Sequence, residues 1–479
     1  MRVVVLVAVL SMAAAGCLAA EPGAVSTAVV QPTVIPGKWK IVEDPLPILA
    51  EIAKRPAAAM PVYGLYSWCG EYRDYRDSIK KVGWKSIRIG GPMDEPTFKM
   101  MCEDGVEVMK TLGLREIALS GEKKNRSSYE ADEPFIADYV RSVEGFLTRF
   151  GPGGTFFKDN PDVPNRPILY VEIWNEPNFQ YMIPDREPRA EVEKEREALY
   201  AKVLPAAYKA IKAKWPTVTV VGFGAGGASK GDIRFIKNVL AQGDEPAKSF
   251  DVLSTHPYQP PTAPEVHSVR SWGTFSVAGS LKEIRDILAT KGLGAARIWY
   301  TEVGWPISKA DGGNFEDKGK DELVSPMLQA AYVVRQYAMS MRLGVERCHI
   351  MFASDSDGFN GGFFTRGDKK WRPSATAVQT MVKLMPNPKL TEAISDGKDG
   401  YYAYAFAANG DAKAGQASPL VLMAWNVAGP KTVEIALDSG RSVVTMKVVD
   451  MLGNAKEINV KDGKLTIEVG PCPVYVLVR

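Results

Sequence analysis

A chain of 479 residues is too long for one small domain and suits a barrel of about 250 residues or more with a smaller partner. Its 46% hydrophobic and 24% charged content is that of ordinary soluble globular proteins. The 59 basic residues nearly match the 56 acidic ones, for a net charge of +3. That balance argues against a polyanion binder, so nucleic acid is not an expected partner.

The N-terminus places Arg2 before the apolar run Val3–Leu10, then small residues to Ala20. This is the pattern of a secretory signal peptide over residues 1–20, too short for a spanning helix. It predicts export to the periplasm, the exterior or the cell surface. Ala14-Ala15-Gly16-Cys17 offers a lipid anchor at Cys17, with cleavage near Ala20 as the alternative. No later run approaches the ~18 apolar residues of a membrane helix. Cys69, Cys102, Cys348 and Cys472 show no metal-ligand spacing, and the histidines are His256, His267 and His349. No protein-bound metal or cofactor is therefore expected. Free thiols and disulfides both stay open for these four cysteines.

Residues 21–37, rich in Pro, Val and Ala, read as a tether. Within the N-terminal segment 21–59, Trp39–Val42 offers a strand that could join a later β domain. A strand-then-helix rhythm follows from residue 60 to 385. Val62–Tyr66 and Trp84–Ile89 are strands, with a helix over Asp74–Val82 between them. A helix is predicted across Pro96–Leu112, where Pro96 suits a first turn, and a third strand at Glu116–Leu119. Phe135–Phe150 repeats apolar residues near a 3.6 period.

Ile168–Asn178 is a β-branched and aromatic run that stops at Asn175-Glu176-Pro177, where Pro177 ends sheet pairing. A long helix is predicted over Glu191–Trp215. Strands follow at Val218–Phe223, Phe250–Thr255, Ala296–Thr301 and His349–Phe352. Helices fall at Ile233–Leu240, Leu281–Leu288, Leu323–Leu343 and Ser374–Leu384. Eight such units predict a closed (β/α)8 barrel. No GxGxxG or Walker pattern follows a strand, which weakens a nucleotide-binding reading. After Pro386-Asn387-Pro388 the rhythm changes to short strands divided by Gly-rich turns, an all-β sandwich over residues 386–479.

Catalysis in such barrels sits at the C-terminal ends of the strands. There stand Arg88, then Asn175 and Glu176, then His256 and Tyr258, then Glu302 within Trp299–Pro306. Glycosidic cleavage needs one protonated acid and one ionised carboxylate, and a spacing of about 5–5.5 Å permits direct attack on the anomeric carbon. Arg88 and Tyr258 suit holding Glu302 ionised, and Asn175 suits a sugar 2-hydroxyl. Trp68, Trp305 and Trp371 are candidate sugar platforms, although a Trp is as often core.

Trp174-Asn175-Glu176-Pro177 and Thr301-Glu302-Val303-Gly304-Trp305 resemble the catalytic motifs of clan A retaining glycoside hydrolases. The resemblance implies that Glu176 is the acid/base and Glu302 the nucleophile. Arg88, His256 and Tyr258 match the clan's strand-two Arg, strand-six His and nearby Tyr. Phe150-Gly151-Pro152-Gly153-Gly154-Thr155-Phe156 and the trailing β domain look like family 39 and its relatives. One departure is at strand eight, where clan members often carry a Trp and this chain has Phe352, followed by Asp355 and Asp357. A carbohydrate substrate is the implied partner. The competing reading is a carbohydrate-binding barrel that has lost activity.

Overall fold

The structure is a computed structural model that describes residues 33–35, 62–113, 133–179, 182–270, 273–317, 322–356, 358–409, 420–436, 445–461 and 463–478. The signal segment, Cys17, Trp39–Val42, Glu116–Leu119 and Asp357 lie outside the described residues. The chain divides into two compact units. One comprises Leu46–Gly304 and Leu343–Ser356; the other comprises Met1–Pro45, Trp305–Arg342 and Asp357–Arg479.

Among the described residues the first element is β1 (Thr33–Ile35), which belongs to the second unit. The first unit then runs β2 (Tyr63–Trp68), α1 (Cys69–Val82), β3 (Ser86–Gly90), α2 (Glu95–Glu103), β4 (Glu107–Leu112), α3 (Glu133–Phe150), α4 (Thr155–Asp159) and β5 (Tyr170–Ile173). It continues with α5 (Arg189–Lys214), β6 (Thr219–Gly226), α6 (Lys230–Ala241), β7 (Val252–His256), a hairpin of β8 (Ser268–Arg270) and β9 (Gly273–Phe275), α7 (Val277–Ala289) and β10 (Arg297–Val303). The elements α8 (Pro326–Arg342), β11 (Arg347–Met351) and α9 (Pro373–Leu384) follow. Eight strands close a barrel in the order β2-β3-β4-β5-β6-β7-β10-β11, and all their pairings are parallel. The predicted (β/α)8 barrel is therefore present.

Local chemistry explains the element ends. Asp94 caps α2 by accepting from the Thr97 N–H at 2.9 Å, and Ser229 opens α6 in a capping box with Asp232. The third strand is the main correction: it is Glu107–Leu112, inside the predicted helix. The helix stops at Glu103, and Gly105 takes φ +68°, a left-handed turn that glycine adopts without steric cost. The apolar residues Val106, Met109 and Leu112 recur every three positions, a helical spacing, although the segment is a strand buried on both faces.

A buried cluster joins five neighbouring strands of the barrel: Met109, Val221, Val252 and Trp299, with Tyr170 against them. At the N-terminal end the Arg347 guanidinium lies 4.3 Å from the ring centres of both Tyr170 and Trp299 and pairs with Glu107.

The second unit is a sandwich. Three strands are ordered β1, Lys431–Ala436, Lys464–Val469; six are ordered Lys389–Asp396, Tyr401–Ala407, Leu420–Asn426, Val474–Val478, Thr445–Asp450, Ala455–Asn459. Its core joins Leu422, Ala424, Val448 and Val476 of one sheet to Val433, Ile435, Leu465 and Ile467 of the other. The strand that joins this domain from the N-terminal side is Thr33–Ile35, parallel to residues 433–435. It lies within the stretch 21–37 expected to be a tether, and its β-branched Thr, Val and Ile favour an extended strand.

Helices α8 and α9 fall in this second unit. Arg335 of α8 donates to the Pro471 carbonyl at 3.1 Å, and Arg342 pairs with Asp396 at 2.9 Å. Cys69, Cys102 and Cys348 are buried thiols outside any disulfide. Among the described residues no helix is long and apolar enough to cross a membrane.

Candidate active site

Arg88 on β3 organises the mouth of the barrel. Its guanidinium is fully buried and donates in three directions. Nε and Nη2 reach Glu172 Oε2 at 2.9 and 2.7 Å, Nη1 reaches Glu302 Oε2 at 2.8 Å, and Nη2 reaches Asn175 Oδ1 at 2.7 Å. The plane lies over Tyr66, 4.4 Å from its ring centre. A planar fork can serve several acceptors at once where a lysine could not.

Glu172 was not singled out in the sequence, and it is the anchor of this arrangement. It lies on β5, completely buried. Besides Arg88 it accepts from Thr111 Oγ1 at 3.0 Å and Ser254 Oγ at 2.9 Å. Burial alone would raise its pKa; the charges of Arg88 and His256, with its hydrogen bonds, overrule that and lower it to about 2. The signal was available. A Glu inside one buried strand and an Arg inside another have few ways to be satisfied except by each other.

Glu176 sits just past β5, in a turn where Trp174 (φ 74°) and Glu176 (φ 46°) are both left-handed. Such residues cost of order 1–3 kcal/mol each and persist only where the surroundings enforce them. Its Oε1 lies 2.9 Å from His256 Nδ1. Burial pushes its carboxyl up to about 7; Arg88 opposes this, while Asp232 and Glu172 add to it. His256, also buried, is pushed down to about 4 and is neutral near pH 7. Its Nε2 meets Thr301 Oγ1 at 3.1 Å, and that second contact orients the ring.

Glu302 approaches from β10. A register shift between Tyr300 and Val303 is a bulge that lets neighbouring residues face the same cleft. Thr301 meets His256, and Glu302 meets Arg88 and Tyr258. Tyr258 donates its hydroxyl to Glu302 Oε1 and also contacts Met351 Sδ. Burial, reinforced by the charges of Glu302 and Glu176, holds the Tyr258 phenol well above its usual range, so it remains a donor. Both oxygens of Glu302 therefore accept hydrogen bonds.

Ligand atoms of Glu176, His256 and Glu302 all lie within 4.8 Å of one another. Such a trio could in principle hold a cation. Here both oxygens of Glu302 are already taken by donors, one of them the permanent positive charge of Arg88, which opposes a cation at this place. The Glu176 and Glu302 side chains each keep 12% exposure.

The structure thus brings together Arg88, Asn175, Glu176, His256, Tyr258 and Glu302. Trp68 is partly exposed and packs with Tyr66 and Phe352, ring centres 5.8 and 6.5 Å away. Trp305 belongs to the second unit, is 1% exposed and packs edge-on against Tyr332. A ring so covered offers no open face, and the expectation of a platform there is not what its surroundings favour. Trp371, in the same unit, packs against Phe364.

No protein-family model matches the chain, and no curated protein matches it in sequence. Solved structures do match in fold. A family 39 glycoside hydrolase from the gut symbiont Bacteroides cellulosilyticus WH2 is 19% identical with a TM-score of 0.65, covering 88% of this chain and 81% of that one. A family 39 β-xylosidase from Caulobacter crescentus is 14% identical with a TM-score of 0.56, covering 89% and 98%. A family 51 α-L-arabinofuranosidase from Thermotoga petrophila RKU-1 is 13% identical with a TM-score of 0.57, covering 88% and 97%. The resemblance to family 39 and related families thus extends to the fold.

Proposed function

We propose that the chain is an exported retaining O-glycoside hydrolase acting on β-glycosidic, or stereochemically equivalent, bonds of oligo- or polysaccharides. Glu176 is the acid/base and Glu302 the nucleophile. The observation that carries this is the pair of carboxyls, with oxygens within 4.8 Å and opposite environments. Burial lifts one to about 7, while the other accepts from Arg88 and Tyr258. An inverting pair would need roughly 6.5–9.5 Å to seat a water, whereas a retaining pair stands about 5–5.5 Å apart.

In the first step Glu302 attacks the anomeric carbon as Glu176 gives its proton to the glycosidic oxygen. The carbon–oxygen bond breaks, the aglycone leaves as an alcohol, and a glycosyl ester remains on Glu302. In the second step the Glu176 carboxylate takes a proton from water. The water oxygen bonds to the anomeric carbon, and the ester bond breaks to restore Glu302. Asn175, its Oδ1 held by Arg88, turns its amide N–H groups to the sugar 2-hydroxyl. Trp68, beside Tyr66 and Phe352, stacks on a sugar face.

Fold neighbours described as a β-xylosidase and an α-L-arabinofuranosidase support pentosides as the first substrates to try. The test is turnover of a panel of aryl glycosides and polysaccharides by the unmodified protein, Glu176→Gln and Glu302→Gln, with product NMR. Retained configuration is expected, and an inverted anomer would overturn the two-step route. Sugar binding without any turnover would favour the inactive-barrel reading. Export is tested by the mass of the mature protein from a secreting host. Loss of about 20 residues is expected, or an acylated Cys17 if the lipid anchor is used.

A further inference from the structure

The turn that aims Glu176 lies in a backbone region that side chains disfavour, so something must hold it. Three main-chain hydrogen bonds do part of this: Trp174 N–H to the Leu112 carbonyl at 3.3 Å, Glu176 N–H to Gly224 at 3.0 Å, and Phe179 N–H to Glu176 at 2.9 Å. Asn178 adds a two-sided clamp. Its Nδ2 donates to the Gly226 carbonyl at 2.8 Å, and its Oδ1 accepts from the Gly226 N–H at 2.9 Å. A side-chain amide thus pairs with both main-chain groups of one residue, as a neighbouring strand would. Asn178 is itself fixed. Arg196 of α5 donates to its carbonyl at 3.3 Å, and its Nδ2 lies 3.4 Å from Asp232 Oδ1.

Gly226 matters for what rests on it. A methyl group there would stand 2.6 Å from Glu176 Oε1 and 2.4 Å from the Phe179 ring. The residue is also in register with His256 on β7, the partner of the Glu176 carboxyl.

We propose that Asn178 is a positioning residue for the acid/base: by gripping both main-chain groups of Gly226 it fixes the floor beneath the Glu176 carboxyl, and so the path of its proton to the glycosidic oxygen. The inference rests on the role of Glu176 given above. Small displacements of a catalytic group are worth up to about 100-fold in rate.

A proton donor matters for a poor leaving group and little for a good one, which gives a readout that general damage would not imitate. The unmodified protein, Asn178→Ala, Gly226→Ala and Glu176→Gln are assayed on phenyl and 2,4-dinitrophenyl β-xylosides, or the same pair on whichever sugar turns over best. For Asn178→Ala, kcat/KM is expected to fall about 10- to 100-fold on the phenyl glycoside and by less than about threefold on the dinitrophenyl one. Azide should raise its dinitrophenyl turnover by attacking the glycosyl ester, releasing glycosyl azide and the Glu302 carboxylate. Gly226→Ala keeps the Asn178 side chain and intrudes on the carboxyl, so the same contrast is expected. Asn178→Leu, which keeps the volume and loses both hydrogen bonds to Gly226, is assayed in parallel and decides the matter if Asn178→Ala fails to fold. Equal losses on both substrates, or none on either, would overturn the proposal. If Glu176→Gln itself lacks the contrast, the acid/base assignment fails instead.

Discussion

The barrel mouth and the sandwich core are both buried, yet they are filled with different chemistry. Within the barrel, Arg88, Glu172, Thr111 and Ser254 are buried and joined by hydrogen bonds. The sandwich core is built from Leu422, Val433, Met446, Leu465 and Ile467. A buried ion pair is a weak way to gain stability, because desolvation offsets much of its attraction. Apolar packing carries no such penalty. The difference shows where the molecule keeps charge: the sandwich core is apolar, and the barrel mouth holds hydrogen-bonded ionisable groups, which the proposed function would use to move protons.

That contrast can be broken most forcefully at Glu302. Glu302→Gln is expected to lower kcat by about 10⁴-fold or more in steady-state assays while the fold, followed by circular dichroism, persists. A loss below tenfold would mean that the barrel's ionisable groups are no more than structural.

Glu172→Ala comes next. Removing one partner of a buried pair leaves the other uncompensated, at a cost of about 3–5 kcal/mol in denaturant unfolding. Activity should fall with it, since Arg88 loses its anchor. Leu422→Ala in the sandwich should cost about 2–5 kcal/mol and leave the pH profile of turnover where it was. A shifted profile would blur the division between the two cores.

The smallest effect concerns Glu176. Burial lifts its folded pKa to about 7, above the ordinary 4.5 of a glutamate, so the folded state holds its proton more tightly than the unfolded chain does. Its contribution to stability is greatest below the unfolded pKa and is lost as pH rises through the folded value. Above pH 7, Glu176→Gln should therefore melt higher than the unmodified protein, by about 1–3 kcal/mol. With the acid/base intact, kcat/KM should decline as pH rises past about 7. A flat basic limb would deny that Glu176 must be protonated.

The barrel rhythm was legible because a parallel sheet covered by helices imposes apolar runs alternating with a 3.6 period. The two glutamates were legible because they stand at strand ends beside residues that stop a strand. Glu172 was not, since its meaning depends on Arg88, a partner from a separate strand that no local pattern links to it. The third strand was misplaced because Asp104-Gly105, the turn before it, interrupts an apolar pattern of helical spacing. Asn178 showed nothing beyond its place after Pro177; its work is done on Gly226 in the next strand, a contact that only the folded chain makes.

Thr33–Ile35 lies parallel to residues 433–435, which gives the protein a long wait during synthesis. The first described segment to leave the ribosome can complete its pairing only after nearly the whole chain has followed. Bringing the ends of so large a loop together adds only about 0.6 kcal/mol for each doubling of length, so equilibrium stability tolerates the arrangement. Kinetics feels it more, because distant pairings slow folding. The strand's partner is thus made late, and the third member of the smaller sheet, Lys464–Val469, later still.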